Sequence, residues 1–240
     1  MFTTFSHNVL RKYVVLFGTL FNNIYVTRDN SAGQHVETIK VPLSYGPKEK
    51  FLARLEGDPT LTNQVAMVLP RMSFEMTNFV YDAERKRNTL NKTWVRGAND
   101  ASASYQYAPV PYNINFRLSI MVKNAVDGTK IVEQILPYFT PAWTPTVNLI
   151  PELGSAGTYD IPIVLNDISC EDTYEGDFIQ RRAIIWTLEF TLKGYVFGPT
   201  KTAGLINFVR TKLPDQGVSI TIDGTLGANT VTFTIDENDP

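Results

Sequence analysis

Residues able to do covalent or metal chemistry are sparse in this chain. Its 240 residues hold two histidines, His7 and His35, and one cysteine, Cys170. Zinc is held by clustered Cys and His side chains, and neither histidine has such a companion at ligand spacing. No G-x-S-x-G turn is present to expose a nucleophilic serine, and no glycine-rich loop has the spacing that cradles phosphates. Cys170 lies in the acidic run Asn-Asp-Ile-Ser-Cys-Glu-Asp. Neighbouring carboxylates disfavour a thiolate, so it reads as a buried or inert thiol. A lone cysteine has no internal disulfide partner, which fits a reducing compartment.

The acidic stretch Glu171 to Asp177 invites a test as a calcium loop. With Gly176 at the sixth position, the third is Thr173 and the twelfth is Arg182, where a bidentate glutamate belongs. A solvated acidic turn remains. The same carboxylates are the only basis for an enzyme reading, an acidic-site hydrolase. Catalytic, cofactor-binding and metal-ligating residues are therefore assigned to none of the chain.

What is left is surface chemistry. Arg85, Lys86 and Arg87, with Lys92 and Arg96, form one basic cluster, read either as an electrostatic contact with an acidic partner or as a solvated loop. Trp94, Tyr105, Tyr107, Tyr112 and Trp143 fall in irregular, proline-containing segments. Exposed, they are interface anchors; otherwise they pack on their own domain. The interface candidates are Arg85, Lys86, Arg87, Lys92, Trp94, Arg96, Tyr105 and Tyr107.

The elements that position these residues show in the hydrophobic periodicity. A helix is expected from His7 to Ile24, capped by Ser6, with Leu10, Tyr13, Val14, Phe17, Phe21 and Ile24 on one face. Tyr25–Arg28 and His35–Tyr45 read as a hairpin, and Pro47 starts a short helix to Glu56. Alternation marks strands from Met72 towards Tyr81, over Asn113–Lys123 and over Ile184–Lys193. The polar alternate face of the last, Thr187, Glu189, Thr191 and Lys193, means one sheet face is covered and the other is wet or contacts a partner. Asp127-Gly128 is expected to end the second of these strands, with a third helix over Ile131–Phe139. Residues 82–105 read as irregular, and Thr200–Leu213 is ambiguous. Strands are expected over Thr146–Ile150 and Ile161–Ile168. Val218–Ile222 and Thr230–Ile235 read as a C-terminal hairpin suited to an edge or arm.

Composition sets the class. An apolar share of 43% and a charged share of 19% describe a globular chain that builds its own core. The net charge of −2 lacks the basic excess of a nucleic-acid binder, so no direct nucleic-acid contact is expected. Arg11 and Lys12 before Tyr13–Phe21 mimic a signal peptide, but no small-residue cleavage site follows. The apolar run is also short of the about 20 residues that span a bilayer, so no membrane contact is expected.

Several segments in fixed order carry a family resemblance: LFNNIYV, KVPLSYGPKEKFLARL, LPRMSFEM, IVEQILPYFTP and RRAIIWTLEFTLKGYVF. Over about residues 5–198 the chain resembles the tail sheath stabilisers, or tail completion proteins, of T-even-like contractile-tailed phages. The resemblance implies an α/β (α+β) fold, with a mixed, largely antiparallel sheet flanked by helices, related to tail terminators. Residues 1–198 would form that domain and 199–240 an extension with the hairpin. It also implies a homo-hexameric ring at the head-proximal end of the tail. The ring would cap tube and sheath, hold the sheath extended and offer a docking face for neck and head. Partners would be the tail sheath protein, the tail tube terminator and neck or head-completion proteins, with assembly in the host cytoplasm and no cofactor. A tail tube terminator is the neighbouring alternative.

Overall fold

The computed structural model describes residues 4–29, 35–56, 69–96, 102–173, 183–204, 208–212 and 219–223. In chain order the elements are α1 Val9–Phe21, β1 Tyr25–Asp29, β2 His35–Lys40, β3 Leu43–Tyr45, α2 Lys48–Glu56, β4 Arg71–Tyr81, β5 Lys92–Arg96, β6 Ser102–Tyr107 and β7 Val110–Val122. They continue as α3 Ala125–Ile135, β8 Ala142–Trp143, β9 Thr146–Asn148, β10 Thr158–Asp160, β11 Ile163–Thr173, β12 Ala183–Val196, β13 Lys201–Gly204, β14 Phe208–Lys212 and β15 Ser219–Asp223. Contacts divide the chain into two compact units. Unit 1 takes Met1–Arg87 and Pro109–Phe197; unit 2 takes Asn88–Ala108 and Gly198–Pro240.

Unit 1 is built on a six-stranded sheet of order β3-β4-β7-β12-β11-β8. β3 and β4 run parallel and the other neighbours antiparallel, so the sheet is mixed and largely antiparallel as expected. Its spine is the long β7–β12 pair, in register from Val110↔Val196 to Val122↔Ile184. Period-two alternation sends Phe116, Leu118 and Ile120 of β7, and Leu188, Phe190 and Leu192 of β12, to one face, where all are buried.

α1 lies on that face. Val9, Tyr13, Phe17 and Phe21 recur every fourth residue and are its buried line. The Phe17 ring meets Phe74, Phe116 and Phe190 at centroid distances of 5.4, 4.6 and 5.3 Å. Fully burying each such ring contributes about 1.5–3 kcal/mol. A Cβ on Gly18 would stand 3.0 Å from the tip of the Phe74 ring, so a side chain there would press on that ring.

The opposite face of the sheet is laid out in polar rows. Register aligns Ser73, Ser119 and Thr187 across β4, β7 and β12. The next row aligns Glu75, Arg117 and Glu189, where Arg117 bridges both carboxylates, at 3.7 and 2.9 Å. At one end Phe51 of α2 covers Met121 and Ile185. The polar alternation of β12 thus faces a half-buried surface, not open solvent.

Several local expectations are corrected. α1 is shorter than His7–Ile24, because Asn8 takes a left-handed conformation (φ 53°) and its side chain makes no cap bond. Ser6 is not the cap residue. Leu10 is 41% exposed, lying off the four-residue line. The return strand from His35 to Tyr45 is two strands, β2 against β1 and β3 against β4. They part at Val41-Pro42, where proline brings no N–H to a ladder. Asp127 and Gly128 do not close β7. They sit inside α3, whose cap is Asn124, accepting from the Val126 amide at 3.2 Å. A Cβ on Gly128 would come 2.6 Å from Trp186 Nε1, so this residue marks helix–sheet contact, not a turn.

Unit 2 contains the three-stranded sheet β13-β6-β5 and the hairpin β14–β15. Residues 82–105, expected to be irregular, supply β5 and part of β6. Residues 88–108 join the C-terminal part because β6 pairs with β13, from Ser102↔Gly204 to Tyr105↔Lys201. β15 pairs with β14, in the stretch that was ambiguous by periodicity. Thr230–Ile235, the expected hairpin partner, lies outside the described residues.

Candidate protein-interaction surface

β5 and β6 pair with Lys92 opposite Tyr107 and Trp94 opposite Tyr105. Alternation places Lys92, Trp94 and Arg96 on one face of β5, and Tyr105 and Tyr107 on the same face of β6. Gln106 points the other way; it is buried and donates through Nε2 to the Gly198 carbonyl at 2.7 Å. That bond fixes which face of the sheet looks outward.

On the outward face four of the expected residues converge. Trp94 and Tyr105 pack at 4.6 Å between centroids, and Tyr105 meets Tyr107 edge-on at 5.9 Å. The Lys92 ammonium hovers 5.9, 4.9 and 5.1 Å from the Trp94, Tyr105 and Tyr107 rings. Each such contact contributes about 0.5–1 kcal/mol at an exposed site. Trp94 stays 51% exposed and Tyr107 37%. A fifth member was missed by sequence reasoning: Lys201 of β13 stands 5.8 Å from the Tyr107 ring. Arg96 lies further along β5, opposite Ala103.

Arg85 and Arg87 go elsewhere, into unit 1. The Arg85 guanidinium donates to Asp82 Oδ2 at 2.6 Å, to Asn113 Oδ1 at 3.0 Å and to the Tyr112 carbonyl at 3.3 Å, and it lies 5.2 Å from the Tyr195 ring. Its hydrogen bond holds the Asp82 carboxyl below the usual carboxylate range. The charge of Arg85 is met within its own unit, so it is not a free cation for a partner. Arg87 reaches the same Tyr195 ring at 6.0 Å, and Lys86 is exposed on the turn. Tyr112 meets Tyr81 edge-on at 5.9 Å, and Trp143 is half-buried in β8.

The two edges of the large sheet differ in chemistry. β3 covers β4 only from Met72 to Phe74. Beyond it, among the described residues, β4 has no outer neighbour, and Phe79, Val80 and Tyr81 are exposed and uncharged. β8 covers β11 only at Ile163 and Val164. Beyond that, β11 exposes Asp167, Cys170, Glu171 and Asp172. Charges on an edge resist strand addition, and an uncharged edge invites it. Cys170 is exposed, not buried. Partial desolvation, then Asp172 and Glu171, raise its pKa above the ordinary thiol value.

Three concavities of unit 1, of about 390 to 530 Å³, hold at most one carboxylate each: Asp127 paired to Arg28, Glu133 alone, or none. Glu171 and Asp172 line none of them. Among the described residues no three His, Cys, Asp or Glu side chains gather as metal ligands, and no helix is long and apolar enough to cross a membrane.

Comparison with known proteins gives two findings. The family described as T4-like virus Myoviridae tail sheath stabiliser matches residues 4–239, running past the segments that carried the resemblance and through the C-terminal part. The tail completion protein gp15 of Enterobacteria phage T4 is 34% identical over 239 residues, covering 93% of this chain and 86% of that protein.

Proposed function

The chain belongs to the T4-like tail sheath stabiliser family, and on that premise we propose that it closes into a six-membered ring at the head-proximal end of a contractile tail. It is a structural tail component of the virion; as a ring at the neck it docks head-completion proteins. The family match along residues 4–239 carries this reading.

The physical logic is that of a bistable lattice. A contractile sheath stores free energy in its extended form. A terminal ring that binds the extended arrangement better than the contracted one shifts that equilibrium by the difference in the two affinities. Copies that close a ring meet through two different patches, a heterologous contact. The outer end of β4 from Met76 to Tyr81, which carries no charge and exposes Phe79, Val80 and Tyr81, supports attachment to the sheath by strand addition. There backbone hydrogen bonds supply affinity and alternate side chains supply specificity. The aromatic and lysine face of unit 2 supports a second protein contact, with Trp94 and the two tyrosines as anchors.

Reconstitution tests this reading. Tails assembled without the chain are incubated with the purified protein, and the fraction of extended sheaths is counted by electron microscopy. Addition should preserve extended sheaths over hours. A fraction that contracts as fast with the protein as without it overturns the reading.

A further inference from the structure

The Lys92 face and the β11 edge are opposite in sign and lie on the same polypeptide. β5, β6 and β13 together carry three cations, Lys92, Arg96 and Lys201, and no carboxylate. The Lys92 ammonium lies over three aromatic rings and has no carboxylate partner among the described residues. A ring face stabilises an ammonium without accepting its N–H hydrogen bonds, so the donors of Lys92 remain available to an anion.

The sequence from Asn166 to Gln180 carries five carboxylates, at 167, 171, 172, 175 and 177, and no lysine or arginine. In β11, Asp167, Glu171 and Asp172 are exposed. Glu171 accepts a contact from Lys48 at 3.3 Å and keeps a side chain 55% exposed. A charged edge of this kind rejects an added strand. A partner there must bring side chains, and cations above all.

We propose that the Lys92–Lys201 face of one copy receives the acidic β11 edge of the next copy. This deepens the ring reading and rests on it: a ring needs two unlike, mutually complementary patches on every subunit. Lysines framed by an exposed tryptophan and two tyrosines form a desolvating contact in which the charge pairs set register and the rings supply contact area.

Cys170, the only cysteine, stands on the β11 edge and serves as a built-in reporter. The experiment introduces Lys92→Cys in the full chain, bound to tails, with oxidative cross-linking at alkaline pH to offset the raised thiol pKa. A ladder of covalent multimers extending beyond dimer on a non-reducing gel is expected. It should vanish when Cys170→Ser is added, where only dimers between introduced cysteines remain possible. Trp94→Cys gives the same ladder and guards against a folding defect at one position. In a charge-swap series, Lys92→Glu should weaken ring formation and Asp167→Lys in the same chain should restore it.

Each of the following outcomes overturns the proposal: no ladder from either variant while microscopy still shows rings, a single intramolecular product, or retention of single-stranded DNA that Lys92→Glu abolishes without any effect on the ring. The first leaves the ring reading intact and removes only the assignment of patches. Copies that stay monomeric on the tail remove both.

Discussion

The Tyr13 hydroxyl lies 2.8 Å from both the amide nitrogen and the carbonyl oxygen of Tyr195, accepting from one and donating to the other. β11 accompanies β12 only as far as Leu192, after which the Pro162 carbonyl takes the Lys193 amide. Past that point, among the described residues, the outward backbone of β12 has no strand beside it. A tyrosine from α1 takes the strand's place, tying the helix to the end of the sheet.

Tyr13→Phe keeps the ring and removes both bonds, leaving two backbone groups of Tyr195 unpaired. The expected loss is about 1–3 kcal/mol, read by chemical denaturation. Burial raises the Tyr13 pKa above its ordinary 10.0. The unfolded chain therefore releases this proton first, so the contribution is complete below pH 10 and falls away as pH rises beyond it. The variant should lack that alkaline component.

Gly194 makes room for the same ring. A Cβ there would stand 2.9 Å from Tyr13, whereas one on Gly198 would meet nothing within 4 Å. Gly194→Ala should cost about 1–3 kcal/mol by overpacking. Gly198→Ala should leave the unfolding midpoint almost unchanged.

The two arginines that sequence grouped together should behave differently. Arg85→Glu sets a second carboxylate beside Asp82 and should lower the thermal midpoint of the purified protein. Arg87→Glu should leave it in place. Asp82 is held below its usual pKa of 3.8, so its pairing stabilises above that value. The stability is lost as pH falls through the depressed folded-state value, a component absent from Asp82→Asn.

Thr187 and Leu188 are neighbours on opposite faces of β12. Among the described residues the Thr187 hydroxyl is buried without a hydrogen-bond partner. Thr187→Val should raise stability by about 1 kcal/mol by removing an unsatisfied polar atom. Leu188 is fully buried. Leu188→Asp strands an unpaired charge and should abolish cooperative unfolding.

These contrasts show what the sequence could reveal. β7 and β12 were legible because each is half-buried, and strict alternation over many residues has no other reading. α1 was legible as a helix, but its ends were not, since a left-handed Asn8 leaves no mark in hydropathy. The aromatic and lysine residues of β5 and β6 were found by type, because they are close in sequence. Lys201 was not, because only strand pairing brings β13 beside β6. Arg85 misled for the reverse reason: composition shows a cation, and only the fold shows that Asp82, Asn113 and the Tyr112 carbonyl already surround it.

The central claim is that the chain works by presenting complementary faces to its own copies and to the sheath at the upper end of the tail. Electron microscopy of assembled particles, averaged at the head-proximal end without imposed symmetry, tests this most directly. The account predicts six copies of this fold in a closed ring touching the last layer of extended sheath. Finding the chain elsewhere in the particle, or at that end without contact to the sheath, contradicts it.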